Sequence, residues 1–588
     1  MRVARAWGRT LGGWLAACRK VVEWRTPAVC PTPVAGSTRA AGSTRAAGSS
    51  RAAGLARMAG LMLASCLTLA ACSGGTGPGS TASPTANSSP PAASSQSFRV
   101  LAGSELKELE PDILRAAAAA GVNLSLSYAG TLEIVDRVNA GESWDAILPP
   151  NGAYPSLALT RKPAAKEKLF YSRVAFGVKE SKAHTLGWDR KAPDWSEITQ
   201  AVRDGKLSYA MTNPTSSNTG MSALFAVAAS SAKKTEDLTA AEVDRGTLKD
   251  FLSGQKLTAG SSGWLADAYV REQDRLDGLV NYEAVLLRLN ERPELHEKLV
   301  VIYPRDGVIS ADYPLMLLNP EKRAVYDRVV SALKGAAFQS AALQRANLRP
   351  SDPTITTSAR LPDTPVAELS FPNNLDVIDA VLAAYQAELR RPATSIYLLD
   401  VSGSMRGERI ANVKAALELL TGVNAQGTAA RYARFQNREH VMLIPFSTEP
   451  GNPQRFNFET EGTKDQTESA LRAYVDGLEA GGATAIYSTL DLAYDLAYQE
   501  LSRYPGRLVT VVLLTDGQNN HGLRYAEFHT RWAGKDAGGA DPIRTFPILF
   551  GEASTAELDD IARLSGGRSF DGRNTNLREV FREIRGYQ

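Results

Sequence analysis

Apolar segments in the last third of the chain constrain its fold most strongly. Four of them are as long as buried strands, and stretches of helical character separate them. They cover residues 395–399, 441–445, 508–514 and 545–550. Because these segments are apolar on both faces, they predict a parallel sheet covered by helices on each side. A doubly wound sheet of this kind binds its ligands at the carboxyl ends of its strands.

Hydroxyl and carboxylate side chains stand at those strand ends. Asp400, Ser402 and Ser404 follow the first strand in the order Asp-Val-Ser-Gly-Ser. Thr484 opens a predicted helix at 484–501, and Asp516 follows a later strand. This set resembles the metal-ion-dependent adhesion site (MIDAS) of von Willebrand factor type A domains, and the resemblance covers residues 393–588. The alternative for the first motif alone is a tight turn at a strand end.

The resemblance implies a bound Mg²⁺, or Mn²⁺ or Ca²⁺ in its place. Magnesium favours six oxygen ligands in octahedral array and retains some water. In that family Ser402, Ser404 and usually Thr484 bind the ion directly, and Asp400 and Asp516 often act through water. With few direct anionic ligands the ion stays electrophilic, so a carboxylate from a partner protein is expected to complete its coordination.

The middle of the chain, residues 98–352, predicts a second α/β unit. Apolar strand-like segments at 98–102, 124–128 and 144–148 alternate with helical ones, which favours parallel sheet. Alternating residues at 168–178 then indicate antiparallel pairing. The order of several short motifs resembles type II bacterial solute-binding proteins, which have two α/β lobes and a ligand cleft. These motifs are DWSEI at 194–198, GKL at 205–207, NP at 213–214, SSNTG at 216–220, VNYE at 280–283, ISADYP at 309–314 and NLRP at 347–350.

The same resemblance assigns loop residues to the cleft. Polar residues that open the helix after 216–220 also fit a helix N-terminus, whose free N–H groups attract anions or polar oxygens. The alternatives are simple helix caps, a vestigial cleft, or a cleft that reads a protein segment. The candidate ligand-binding residues are Ser104, Thr131, Ser216, Ser217, Asn218, Thr219, Tyr282 and Glu283.

The first 97 residues read as an export signal and tether. A 14-residue apolar run at 58–71 follows an arginine-rich stretch and is too short to span a bilayer. It ends in Leu-Ala-Ala-Cys at Cys72, which resembles a bacterial lipobox, and an uncharged Ser/Gly/Thr/Ala/Pro tether follows at 73–97. Cys18 and Cys66 end similar tetrapeptides in less suitable settings. The alternative is a plain secretory signal with an incidental cysteine.

These features divide the chain into five parts. A Thr/Pro/Ser-rich connection precedes an amphipathic helix at 375–389, which is expected to pack on the domain that follows. The parts are a signal with lipobox at 1–72, a tether at 73–97, a solute-binding-like domain at 98–352, a linker with its helix at 353–392, and a von Willebrand factor type A domain at 393–588.

Composition narrows the range of possible functions. The four cysteines all lie within the first 72 residues, which excludes thiolate sites from the rest of the chain. The five histidines are scattered along the sequence. The net charge of +3 comes from the basic leader, so nucleic acid is not an expected partner. Without a nucleophile elbow, paired His or body Cys, we expect no enzyme. Two hypotheses remain: a lipid-anchored bacterial surface protein that binds a protein through its metal, or a transport receptor for a small solute with the C-terminal domain as docking accessory.

Overall fold

The structure is a computed structural model that describes residues 96–363, 365–422, 427–535, 542–551, 555–573 and 577–588. The predicted signal, Cys72 and the tether up to residue 95 lie outside the described residues. Within the described part of the chain, no helix has both the length and the apolar character needed to cross a membrane.

Twelve strands build the region from residue 96 to residue 350. They are β1 Gln96–Gly103, β2 Val122–Ala129, β3 Ala146–Leu148, β4 Ala165–Lys168, β5 Phe170–Lys179, β6 Tyr209–Thr212, β7 Gln255–Ala259, β8 Gly278–Tyr282, β9 Leu299–Ile302, β10 Ser310–Ala311, β11 Pro314–Leu317 and β12 Arg349–Pro350.

Eleven α-helices cover these strands. They are α1 Glu110–Ala119, α2 Thr131–Asn139, α3 Ala153–Ala158, α4 Glu180–Leu186, α5 Trp195–Arg203, α6 Asn218–Ser231, α7 Arg245–Ser253, α8 Ser262–Glu272, α9 Glu283–Leu289, α10 Arg323–Lys334 and α11 Leu343–Ala346. Short 3₁₀ turns at 104–108, 240–242, 273–275 and 320–322 and a π turn at 338–342 complete the region.

The strands form two sheets, and each sheet is the centre of one lobe. The first sheet has the order β2-β1-β3-β11-β4, with β1, β2 and β3 parallel as the sequence predicts. The second has the order β10-β5-β8-β6-β7, and β9 and β12 also pair with β5. Strand β5 pairs antiparallel with β8 and β9, in agreement with the alternating pattern at 168–178.

Two crossovers join the lobes, one from β4 to β5 and one from β10 to β11. The N–H of Leu169 in the first crossover donates to the carbonyl of Tyr313 in the second, at 3.3 Å. Tyr313 has a φ of 34°, a strained value for a residue with a side chain. The paired crossovers connect the two lobes.

The linker helix α12 Leu375–Ala384 continues as a π turn at Tyr385–Leu389. It contacts both domains rather than only the one that follows. On the solute-binding side, the amide of Gln386 donates to the hydroxyl of Thr215 at 2.9 Å. On the C-terminal side, Tyr432 donates to the carbonyl of Asp379 at 3.4 Å. The linker helix is therefore packed against both domains, which cover its apolar face.

The C-terminal domain has one sheet of order β15-β14-β13-β16-β17-β18. All neighbours pair parallel except the edge strand β15, so the predicted doubly wound sheet is confirmed. Its strands are β13 Ala393–Asp400, β14 Glu439–Phe446, β15 Gln454–Phe458, β16 Leu508–Thr515, β17 Arg544–Leu549 and β18 Phe570–Asp571. Its helices are α13 Glu408–Leu420, α14 Thr428–Ala433, α15 Glu461–Asp476, α16 Ile486–Arg503, α17 Tyr525–Lys535, α18 Thr555–Leu564 and α19 Leu577–Arg585, with a 3₁₀ turn at Gly403–Met405.

Candidate functional site

Asp400 ends the central strand β13 and is fully buried. Its Oδ1 accepts the N–H of Ser402 at 2.8 Å, and its Oδ2 accepts the hydroxyl of Thr515 at 2.7 Å. Burial raises the pKa of Asp400, the two donors oppose that shift, and the charge of Asp516 adds to it. A buried carboxylate that is destabilised in this way gains from a nearby cation.

Ser402, Ser404 and Asp516 form a chain of oxygens beside it. The hydroxyls of Ser402 and Ser404 are 3.1 Å apart, and Ser404 donates to Oδ1 of Asp516 at 2.9 Å. Asp516 follows β16, the parallel neighbour of β13, so both aspartates lie at one edge of the sheet. Ser404 is exposed to solvent while the two aspartates are buried.

Thr484 reaches the same place from a loop. It is buried and precedes α16, which begins at Ile486 rather than at the predicted 484. Its N–H donates to Oδ1 of Asn520 at 2.7 Å. A Cβ placed on Gly517 would lie 3.7 Å from the Thr484 hydroxyl and 3.8 Å from that of Ser404. The structure therefore brings all five predicted residues to one edge of the sheet.

A backbone hydrogen bond holds the two loops together. The N–H of Gly403 donates to the carbonyl of Gly482 at 3.0 Å. Gly482 has a φ of 89°, and a Cβ there would meet the hydroxyl of Thr448 at 2.8 Å. Glycine is therefore required at this position, and it fixes how Thr484 faces the serines.

Arg409 is a member of this site that the sequence motif does not include. It lies in the first turn of α13, and its guanidinium pairs with Oδ2 of Asp516. The Arg409 side chain is 44% exposed, whereas Asp516 is sealed. Arg409 lies about one turn after Ser404, on the helix that follows the motif. This position could have indicated from the sequence that Arg409 belongs to the site.

The five residues place three hydroxyl groups and two carboxylates close together at the carboxyl ends of the strands. Among the described residues, no three His, Cys, Asp or Glu side chains gather as a metal site. The five residues fit a hard divalent cation, because neutral hydroxyl oxygens and hydrated carboxylates are ligands that Mg²⁺ accepts.

The second candidate site is a cavity of about 320 Å³ at the mouth of the cleft between the lobes. It is within the range of small-molecule sites. Predicted residues from both lobes line it, namely Ser104, Thr131, Ser216, Ser217 and Asn218.

Three other predicted ligand residues do not line this cavity. Thr219 is buried, and its hydroxyl lies 3.3 Å from that of Thr212. The hydroxyl of Tyr282 accepts a hydrogen bond from the side-chain amide of Asn218 at 3.1 Å. Glu283 is fully buried and accepts two hydrogen bonds from Arg349, at 2.8 and 3.0 Å. Its carboxylate is thus committed to an internal ion pair.

The sequence reading missed the charged residues of the lining. They are Glu105, Lys107 and Glu133 from the first lobe and Arg568, Glu579, Arg582, Glu583 and Arg585 from the C-terminal domain. Glu105 and Lys107 lie on the 3₁₀ turn after β1 and face the cavity. Burial raises the pKa of Glu105 to about 7, although a backbone hydrogen bond opposes the shift. The Lys107 ammonium lies 5.4 Å from the centre of the Tyr128 ring. Ser104 directly precedes them, so the end of β1 carried the signal.

Family comparisons identify both domains. Residues 98–344 match the model of bacterial extracellular solute-binding proteins, and residues 395–518 match that of the von Willebrand factor type A domain. The chain therefore combines a solute-binding domain with a von Willebrand factor type A domain. A domain of the first family is typical of the periplasm or the cell exterior.

One relative matches a short part of the chain. The magnesium-chelatase 60 kDa subunit of Rhodobacter capsulatus is 33% identical over 128 residues, which is 22% of this chain. The match spans 19% of that relative's length. Such a partial match concerns one domain and not the activity of the whole relative.

Solved structures are similar to each domain at low identity. The periplasmic binding protein AfuA of Actinobacillus pleuropneumoniae is 14% identical, with a TM-score of 0.39 over 50% of this chain and 99% of its own. A von Willebrand factor type A protein of Catenulispora acidiphila is 19% identical, with a TM-score of 0.26 over 34% of this chain and 42% of its own.

Proposed function

We propose that the protein is a bacterial cell-surface binding protein that binds a protein partner through a divalent metal ion. Its solute-binding domain is a second recognition module. The ion is Mg²⁺, or Mn²⁺ or Ca²⁺. Its ligands are Asp400, Ser402, Ser404, Thr484 and Asp516. The observation that carries this proposal is that these residues lie together at the carboxyl ends of the strands of the C-terminal sheet.

The two edges of that sheet have different surroundings. Contacts with the solute-binding domain come from residues at the amino ends of strands, such as Arg544 at the start of β17, which pairs with Glu272 at 2.7 Å. Asp400 and Asp516 lie at the carboxyl ends. An eight-residue strand spans roughly 25 Å. A partner can therefore reach the metal site while the domains remain docked.

The chemistry supports a protein ligand with a carboxylate. An ion held largely by neutral hydroxyls keeps a strong attraction for one more anionic oxygen. Ser404 is exposed, so the open side of the site faces solvent. A glutamate or aspartate of the partner would become part of the coordination shell, and the complex would depend on the metal.

The remaining parts of the proposal follow from the leader and from the site chemistry. Lipidation of Cys72 would anchor the protein to the membrane, and the uncharged tether would hold the domains clear of it. We propose no catalytic role, since the sequence after residue 72 has no cysteine, no paired histidines and no nucleophile elbow. Nucleic acid is not among the proposed partners.

The test is metal-dependent capture from an envelope extract with the full chain as bait. Wild type should retain a partner with Mg²⁺ and release it with chelator. Asp400→Asn should lose both ion binding, measured by calorimetry, and capture. Asp465→Asn, on the exposed face of α15, is the matched control and should behave as wild type.

The alanine variant of Asp400 is less informative than the asparagine variant. Because Asp400 is buried, Asp400→Ala leaves the Ser402 N–H and the Thr515 hydroxyl without their acceptor. An unsatisfied buried polar group costs about 1–3 kcal/mol. Equal capture by wild type and Asp400→Asn would remove the metal from the mechanism, and specific solute binding without any capture would favour the transport receptor.

A further inference from the structure

The C-terminal domain contacts both lobes of the solute-binding domain, on the two sides of the cleft. Helices α14 and α19 lie against α2 of the first lobe. Strand β17 and the loop before β18 lie against α8 of the second lobe. Residues of all three bodies also line the cavity of the cleft. The C-terminal domain therefore spans the mouth of the cleft.

A buried ion pair attaches the C-terminal domain to the second lobe. Arg544 donates from Nε to Oε1 of Glu272 at 3.0 Å and from Nη2 to Oε2 at 2.7 Å, and the two side chains are 3% and 11% exposed. Paired hydrogen bonds of this kind fix orientation as well as distance. The Arg568 guanidinium also lies 3.1 Å from the centre of the Trp264 ring. The domain is therefore held firmly on α8.

The linker holds the domain on the same side. The N–H of Ser370 donates to the carbonyl of Thr235 at 2.8 Å, and the amide of Gln386 donates to the hydroxyl of Thr215 at 2.9 Å. Both acceptors belong to the second lobe. Since the linker leads directly into β13, the covalent chain and the side chains both join the C-terminal domain to this lobe. The second lobe, the linker and the C-terminal domain thus form one body.

Two carboxylates of helix α2 attach the first lobe. Asp136 accepts the first three N–H groups of α14, at 2.9, 2.7 and 3.2 Å, and so caps a helix of another domain. Glu133 pairs with Arg582 of α19 at 2.6 Å. Helix α12 adds packing against α3 of this lobe. Residues three apart lie on one face of a helix, so one face of α2 carries both polar contacts with the C-terminal domain.

The lobes also touch each other directly. Glu108 of the first lobe pairs with Arg288 of the second at 2.5 Å, and the Glu108 side chain is 57% exposed. A Cβ on Gly130 would lie 2.2 Å from the carbonyl oxygen of Ser216, so the lobes meet at their backbones. An exposed ion pair contributes little stability, since solvent screens it. The partly buried contacts of α2 therefore hold the lobes together more strongly than this pair does.

We propose that the C-terminal domain is an internal clamp that keeps the two lobes in contact, with Glu133 and Asp136 as its latch on the first lobe. Because the domain is fixed to the second lobe, the lobes cannot separate unless α2 leaves α14 and α19. Movement of the lobes is thereby coupled to the docking of the C-terminal domain. This inference goes beyond the proposed function and depends neither on the metal site nor on a solute.

The experiment measures the distance between the lobes in the full chain by double electron–electron resonance. Spin labels are attached at Ala118→Cys on α1 and at Lys298→Cys before β9, two exposed positions on different lobes. The chain after residue 72 contains no cysteine, and the four leader cysteines are replaced by serine. Wild type should give one narrow distance distribution without added solute.

The latch variant combines Glu133→Gln with Asp136→Ala and should give a broader distribution. Hydrogen exchange measured by mass spectrometry should be about fivefold faster in the first turn of α14, the factor that corresponds to a lost helix cap. Helix α8 should keep its wild-type exchange, because the Glu272 ion pair remains. Glu133→Gln alone leaves the cap in place and should broaden the distribution to a smaller extent.

Two controls separate the clamp from other effects. Glu108→Gln removes the direct ion pair between the lobes and should keep the narrow distribution. Asp194→Ala removes a cap from α5 inside the second lobe, where Asp194 accepts the N–H of Glu197 at 2.8 Å. It should keep both the narrow distribution and the wild-type exchange of α14.

Three results would overturn the clamp. A narrow distribution in the latch variant would mean that the lobes hold each other without the C-terminal domain. Broadening in Glu108→Gln with none in the latch variant would place the decisive contact between the lobes themselves. Faster exchange of α8 in the latch variant would show that the domain leaves the second lobe as well, against the firm attachment there.

Discussion

Arg409 pairs with Oδ2 of Asp516 while Ser404 donates to Oδ1 of the same carboxylate, at 2.9 Å. The guanidinium thus neutralises an aspartate that the metal is proposed to use. Arginine is a cation of fixed charge, so the charge of Asp516 has a counter-charge before an ion binds. Metal binding must compete with this ion pair.

Removal of Arg409 should tighten metal binding. Arg409→Gln is expected to raise Mg²⁺ affinity about fivefold, because a partly exposed ion pair contributes about 1 kcal/mol at most. Calorimetric titration with Mg²⁺ and Mn²⁺ measures the effect. Arg406→Gln, three residues before Arg409 and bonded to the carbonyl of Ala480, is the control. Unchanged or weaker binding by Arg409→Gln would show that the arginine does not compete with the ion.

Glu439 should set the acid stability of the C-terminal domain. It is fully buried between Arg390 of the linker and Arg585 of α19. Burial alone would raise the pKa of Glu439, but the two arginines outweigh it and the pKa is lowered. The stabilisation is therefore fully present above the ordinary value of 4.5 and is lost as the pH falls below it.

Glu439→Gln is expected to cost about 3–5 kcal/mol, since it leaves two buried arginines without a counter-charge. Thermal unfolding followed from pH 7 to pH 3 should show a smaller drop in Tm for this variant than for wild type. Glu479→Gln, which is exposed, should follow the wild-type curve. Parallel curves for Glu439→Gln and wild type would contradict the assignment.

Cys72→Ala should release the protein from the membrane. Two or more acyl chains give stable anchoring, and the substitution removes their attachment site. Expression in a bacterial host followed by detergent partitioning measures retention, and the mass of the mature N-terminus measures processing. Cys66→Ala, at the decoy tetrapeptide, should partition as wild type. Identical processing of Cys72→Ala and wild type would mean a plain secretory signal.

Local sequence determined the elements of both domains because their patterns depend on neighbours along the chain. Continuous apolar segments specified a buried parallel sheet, and the helix predicted at 375–389 forms as α12 with the π turn that follows it. The proposed metal ligands were identified by their resemblance to a known site, and their proximity could be predicted because parallel strands place their carboxyl ends on one edge. Asp400 and Asp516 follow adjacent strands there.

Tertiary structure alone decided which polar groups are committed and which are free. Glu283 looked like a cleft ligand, but its partner Arg349 lies 66 residues away and buries it in an ion pair. Arg409 joined the metal site, and Arg582 joined the cleft from the far end of the chain. Such pairings depend on how separate elements pack. The sequence around a side chain does not show which charged residue the fold places next to it.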